Sequence, residues 1–177
     1  MNIYLLVLLI AGTIGIAVFS WMASIKAGRY HGVFRFFSFE SIFLLLLLNY
    51  RYWFIDPFKL SQLISWLCLI ASIAIASLGF YLLNAAGKPK GEMENTTKLI
   101  SIGLYKTIRH PLYLSLILLG AGVFFKHIDG AQSALLAVNL VSIVLTAKTE
   151  EKELIRKFGN RYRRYMARTR MLIPFIF

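Results

Sequence analysis

Residues 3–22 read IYLLVLLIAGTIGIAVFSWM, an unbroken run with no charged side chain. About 20 residues of helix cross the roughly 30 Å hydrocarbon core of a bilayer, so this run decides for a membrane span. A second run of the same quality extends from Leu60 to Leu83. Weaker signals give three more, Phe39 to Ile55, Leu112 to Phe125 and Ala131 to Ala147. The expected fold class is all-α: a polytopic integral membrane helical bundle of about five transmembrane helices with a C-terminal interfacial helix. One domain is expected over 1–177, with three N-terminal spans in 1–83 and a polar loop, a helical hairpin and a cytoplasmic helix in 84–177.

Composition agrees. With 58% hydrophobic and 16% charged residues in 177, a soluble core of this size cannot hide the apolar surface. The second span carries Leu44 to Leu48 and ends in Asn49-Tyr50-Arg51-Tyr52-Trp53, an aromatic and basic cluster suited to lipid headgroups. Ser38 reads as its N-cap, with Glu40 as favourable charge in the first turn. The fourth span is short for a full crossing, and Lys126-His127-Ile128-Asp129-Gly130 turns the chain directly into the fifth.

Lys and Arg in short loops are retained on the cytoplasmic side. Segments 23–37, 84–111 and 148–177 hold 17 of the 20 basic residues, leaving Arg51, Lys59 and Lys126 for the other face. This predicts an N-terminus outside and a C-terminus in the cytoplasm. The net charge of +12 then serves topology and anionic headgroups, not nucleic acid. No basic region precedes the first apolar run, so no cleaved signal is expected. The lone Cys68, in mid-span, can form no intrachain disulfide. Gly87 to Lys98 should be an irregular cytoplasmic loop that could lie over a site.

Polar chemistry gathers at that basic face. Gly103-Leu104-Tyr105-Lys106-Thr107-Ile108-Arg109-His110-Pro111-Leu112-Tyr113 leads into the fourth span, and Glu150-Glu151 follow the fifth. Pro111 suits the first helical position and drives His110 toward extended backbone. Arg109 and His110 therefore stand at a helix entrance, whose free N–H groups favour an anion. Two acids at the same face require a cation, a hydrogen-bonding ligand or water; together the two sites suit a zwitterion. The plain alternatives are a His110 that bridges backbone groups, and acids paired with Lys148, Lys152 or Arg156. Beyond them, Glu151, Leu154, Ile155, Phe158, Tyr162 and Tyr165 recur at helical spacing, an interfacial amphipathic helix bent near Gly159 with tyrosines as anchors. Small-residue pairs, Gly12 with Gly15 and Gly120 with Gly122, read as packing within the bundle, and oligomeric state is not legible.

The order Gly-x-Tyr-x-x-x-Arg-His-Pro-x-Tyr, apolar hairpin, Glu-Glu, Phe-Gly-x-x-Tyr-x-x-Tyr and a closing Ile-Pro resembles the isoprenylcysteine carboxyl methyltransferase and phospholipid methyltransferase superfamily over roughly the last 80 residues. That resemblance implies an integral membrane methyltransferase dependent on S-adenosyl-L-methionine, bound at the cytoplasmic ends of the last helices. It implies cofactor contacts from Tyr105, Arg109, His110, Pro111 and Tyr113, and from Glu150 and Glu151. Of these, His110 with nearby N–H groups would hold the cofactor's carboxylate, and Glu151 its ammonium or ribose hydroxyls. The prenylcysteine enzymes carry an Arg about four residues before the acids. Thr146 stands in that register here, with Lys148 the nearest cation and the candidate substrate contact. The implied acceptor is lipid-like or a small hydrophobic molecule, reached from the bilayer or the cytoplasm. Alignment of donor and acceptor is the catalytic task, so no catalytic residue and no metal ligand is assigned. Two other classes stay open. Sterol and steroid reductases share an Arg-His-Pro-x-Tyr element and would use NADPH. A scaffold or transporter would leave polar residues in mid-span.

Overall fold

The structure, a computed structural model, describes residues 3–87, 99–174 and 176. The loop expected over 87–98 lies, Gly87 apart, outside the described residues. Among the described residues six helices follow one another: α1 (Ile3–Ala23), α2 (His31–Asn49), α3 (Leu60–Gly87), α4 (Pro111–Phe124), α5 (Gly130–Phe158) and α6 (Asn160–Met166). Short 3-10 turns at Ile25–Ala27 and Gly103–Lys106 lead into α2 and α4. Among the described residues four helices, α1, α2, α3 and α5, are long and apolar enough to cross a membrane, with α4 a shorter apolar helix beside them. The polytopic helical bundle expected from sequence is what forms.

Three boundaries differ. Helix α2 starts at His31, not at Ser38, so Ser38 and Glu40 lie inside it. Ser38 caps nothing: it is buried and takes a bond from Asn139 Nδ2 at 3.1 Å. Glu40 accepts from Thr13 Oγ1 of α1 at 2.7 Å. The reason is that Phe34, Phe36 and Phe37 carry the apolar pattern past the basic residues, so the helix continues through a stretch that hydropathy assigns to a loop. The same helix ends at Asn49, and 50–55 belong to the turn that follows. Helix α5 runs on past Ala147 to Phe158, so Glu150 and Glu151 sit on the helix itself. At 1.5 Å per residue its 29 residues reach roughly 43 Å, longer than the hydrocarbon core. Helix α4, with 14 residues, covers only roughly 21 Å.

That short helix lies inside the bundle. Helix α3 packs along α4 and α2 along α5, while α4 also touches α2 and α5. Gly122 allows the α3 approach: a Cβ there would meet Leu69 Cγ at 2.8 Å and Ser65 O at 3.1 Å. Gly120 does the same for Asn139 of α5, so both glycines serve packing within the chain. Gly12 takes the Phe43 ring in the same way, whereas nothing lies within 4 Å of a Cβ at Gly15. Serine hydroxyls bridge the helices, Ser65 to Gly122 O at 2.6 Å and Ser72 to Ser115 O at 2.7 Å, where lipid offers polar groups no partner. Helix α1 buries only Ser20 and leaves Ile3, Val7, Ile10, Ile14 and Val18 exposed, as a lipid-facing helix does.

At the end of the bundle away from Arg109, Lys126 is 4% exposed. Its Nζ sits 3.7 Å from the Trp66 ring centroid and donates to Gln62 Oε1 at 3.0 Å. Cation–π attraction of this kind, roughly 2 kcal/mol when desolvated, anchors the α4–α5 turn. Asp129 caps α5 there through Gln132 N at 2.7 Å.

Candidate functional site

The segment before α4 is tied down by residues far along the chain. Ile108 and Arg170 form a short parallel bridge: Arg109 N donates to Arg170 O at 2.8 Å, His110 N to Met171 O at 3.1 Å, and Arg170 N to Thr107 O at 3.0 Å. Pro111 occupies the first position of α4, and His110 has φ −125 and ψ 64, as a residue before proline prefers. The N–H groups of Arg109 and His110 are thus engaged by the chain, and those of Tyr113 and Leu114 reach His110 O at 3.1 Å. The helix entrance therefore offers an anion fewer free donors than its sequence suggests.

Arg109 is a strut. Its Nε donates to Glu151 Oε1 at 2.5 Å and its Nη1 to Thr169 O at 2.6 Å and Met166 O at 3.3 Å. The Arg109 and Glu151 side chains are 9% and 8% exposed. His110 lies between the two acids, with Nε2 3.3 Å from Glu151 Oε1 and Nδ1 3.7 Å from Glu150 Oε2. Its ring stacks on Tyr113, centroids 5.2 Å apart at 16°, and Tyr113 Oη donates to Glu150 Oε2 at 2.6 Å. One cluster therefore holds Arg109, His110, Tyr113, Glu150 and Glu151, residues drawn from two sequence regions some forty positions apart.

Beside the cluster is a cavity of about 580 Å³, within the usual range for small-molecule sites. Arg109, His110, Tyr113 and Glu150 form its polar wall, with Pro111 and Tyr105 also lining it. Phe19, Phe39, Phe80, Leu83 and Leu116 form an apolar wall from α1 to α4. The two acids differ: Glu150 lines the cavity, whereas Glu151 is turned to Arg109 and His110. Lys148 is exposed and is not among the lining residues; Thr146 is buried and bonds Ser142 O at 2.7 Å.

Two contributors escaped the sequence reading. Arg35 of α2 lines the cavity, with its guanidinium 5.4 Å from the Phe19 centroid and 6.0 Å from that of Phe39, and its Nη2 donates to Ser24 Oγ at 2.7 Å. One turn earlier His31 Nδ1 lies 2.9 Å from Glu153 Oε2, locking α2 to α5 beside the site. The spacing His31-x-x-x-Arg35 on an aromatic helix was the available signal, and it was absorbed into the count of loop charges. Tyr162 is the second, since Gly159, at φ 59, a backbone conformation that glycine adopts readily, separates α5 from α6. Tyr162 and Tyr165 then face the cavity as buried residues, not as interfacial anchors. Tyr165 Oη donates to Tyr105 O at 2.6 Å. Burial, then the nearby Glu151 and Glu150 charges, pushes the Tyr162 phenol far above its ordinary range. Burial does the same for Tyr165 and Tyr105, opposed at Tyr165 by Arg109 and reinforced at Tyr105 by Glu150.

The family described as "Protein of unknown function (DUF1295)" matches residues 16–169, which take in every residue that lines the cavity. The chain belongs to the DUF1295 family. A stretch of 71 residues is 38% identical to methanethiol S-methyltransferase 1 of Bradyrhizobium diazoefficiens, covering 40% of this chain and 24% of that protein. The chain thus matches about a quarter of that relative's length. No solved structure matches. The DUF1295 chain is related to a methyltransferase, and the resemblance to the isoprenylcysteine carboxyl methyltransferase superfamily stands.

Proposed function

We propose that this DUF1295 protein is a membrane methyltransferase that uses S-adenosyl-L-methionine to methylate a small hydrophobic or lipid-like acceptor, with the cavity on the cytoplasmic side. The observation that carries the reading is the cavity's make-up, a carboxylate from Glu150 and a guanidinium from Arg35 lining one largely apolar, aromatic space. Those residues fit a zwitterionic, nucleoside-bearing donor. Glu150 offers a carboxylate to the cationic end. Arg35, on the aromatic side, offers a guanidinium to the carboxylate end. Phe19, Phe39 and Phe80 offer flat apolar surface to a purine ring and negative ring faces to a positive charge. Fixed charges of both signs set against apolar walls hold more strongly than they would in solution.

When bound, that donor supplies an electrophilic methyl group on a sulfonium. The chain's own task is then alignment and exclusion of water. Tyr113, whose hydroxyl donates to Glu150 and whose ring stacks on His110, fixes the direction of the Glu150 carboxylate. Glu151, given by the sequence reading to the cofactor's ammonium or hydroxyls, instead holds Arg109 and His110 in place. The apolar wall receives the acceptor, and its Phe and Leu side chains suit a thiol or an acyl-like tail better than a polar one. The relative's printed name points to a thiol acceptor for that protein, and a small thiol heads the acceptors to try here.

Calorimetric titration of the detergent-purified protein with S-adenosylhomocysteine tests the reading, with NADPH in parallel. Saturable binding of S-adenosylhomocysteine alone is expected. Binding of NADPH alone would replace the reading with a reductase, and binding of neither would refute it.

A further inference from the structure

Tyr162 is 1% exposed and lines the cavity beside His110 and Glu150, yet its hydroxyl has no hydrogen-bond partner among the described residues. A buried donor left unmade costs about 1–3 kcal/mol, and native chains keep few of them. The neighbouring tyrosine makes the contrast. Tyr165, on the same helix with its ring 5.8 Å away, is equally a cavity residue, and its hydroxyl is satisfied by Tyr105 O at 2.6 Å. If packing were the only need at position 162, phenylalanine would fill the same volume without the orphaned group.

We propose that Tyr162 is a binding residue of this site, its hydroxyl donating to an oxygen or nitrogen acceptor of the bound methyl donor. The inference rests on the methyl-donor reading above and adds to it a contact from a helix that the resemblance does not assign to the cofactor. The chemistry is one-directional. The phenol sits near two carboxylates and away from water, so it stays protonated and acts as a donor. It therefore selects a ligand with an acceptor such as a ribose hydroxyl, a purine nitrogen or a carboxylate oxygen. Gly159 sets this up, because its positive φ interrupts the helix between α5 and α6.

The test compares Tyr162→Phe with Tyr165→Phe in two measurements, thermal unfolding without ligand and calorimetric titration with S-adenosylhomocysteine. For Tyr162→Phe the ligand-free melting temperature should hold or rise, while affinity falls about 3- to 10-fold, the equivalent of one neutral hydrogen bond. Tyr165→Phe should lower the melting temperature through loss of its bond to Tyr105. Wild type that binds, with Tyr162→Phe binding equally, would overturn this inference alone and leave water as the hydroxyl's partner. Wild type that does not bind would overturn the methyl-donor reading and this inference together. If Tyr162→Phe does not fold, fluorine NMR of the protein carrying a fluorotyrosine at position 162 decides. A resonance that moves on adding S-adenosylhomocysteine supports the contact, and one that stays overturns it.

Discussion

Replacing Arg109 by alanine separates a strut from a ligand contact. The side chain holds Glu151 and two backbone carbonyls, Met166 O and Thr169 O, so its loss leaves a buried carboxylate with His110 as its remaining partner. Breaking a buried ion pair by deleting one member costs about 3–5 kcal/mol, because an uncompensated charge stays behind. For a chain of this length each kcal/mol shifts the melting temperature by roughly 2–4 °C, which gives a fall of roughly 6–20 °C in the ligand-free protein. Tryptophan fluorescence on heating in detergent measures it, since Trp53 and Trp66 pack against the bundle core. The exposed Lys148→Ala serves as a control, expected to stay within about 0.5 kcal/mol. Arg109→Lys should fall between them, because an ammonium keeps the charge and loses the fork that reaches the carboxylate and the carbonyls together. A ligand-free Arg109→Ala protein that melts with the wild type would refute the strut and return Arg109 to the ligand.

Glu150→Gln should leave the melting temperature nearly unchanged and weaken S-adenosylhomocysteine binding by about tenfold or more, the worth of a charge-assisted hydrogen bond; calorimetry checks it, and unaltered affinity would remove Glu150 from the site. Gly122→Ala should destabilise by about 1–3 kcal/mol despite alanine's better helix propensity, because the new methyl meets Leu69 and the Ser65 carbonyl; a thermal melt at or above wild type would show that α3 can move aside. Raising the pH should expose the buried phenols. Tyr105, Tyr162 and Tyr165 have pKa values raised in the fold, so their stabilising contribution is complete below the unfolded value of about 10 and is lost as the pH climbs above it. Ultraviolet difference absorbance should show these phenols ionising only together with unfolding, and early ionisation in folded protein would contradict their burial.

The spans were legible because residues 3–22 and 60–83 carry enough apolar length to stand alone. The cluster was legible because proline, arginine, histidine and two adjacent acids are conspicuous beside apolar runs. What hydropathy could not see was helix continuing where hydrophobicity stops. It cut α5 at Ala147, although α5 goes on to present Glu150 and Glu151 from one rigid helix. It also read 23–37 as a loop, hiding Arg35, whose charge is buried against aromatic rings that the rest of the fold supplies. The division of labour between adjacent acids was out of reach for a further reason. On a helix, neighbours point about 100° apart, and only the docking of α4 decides which one turns to Arg109 and which to the cavity. Tyr162 is the same case. Its role depends on the turn at Gly159, which helical spacing treats as a simple bend.

The bridge between 107–109 and 170 carries a consequence for how the protein is made. Arg109 is written into the chain 60 residues before Thr169, one of the groups that hold it. At ribosomal rates of about 5–20 residues per second, that is a wait of roughly 3–12 seconds, during which the apolar hairpin can enter the bilayer. Membrane insertion and completion of the site are therefore separate events in time, and a nascent chain can be fully embedded while its chemistry is still unassembled.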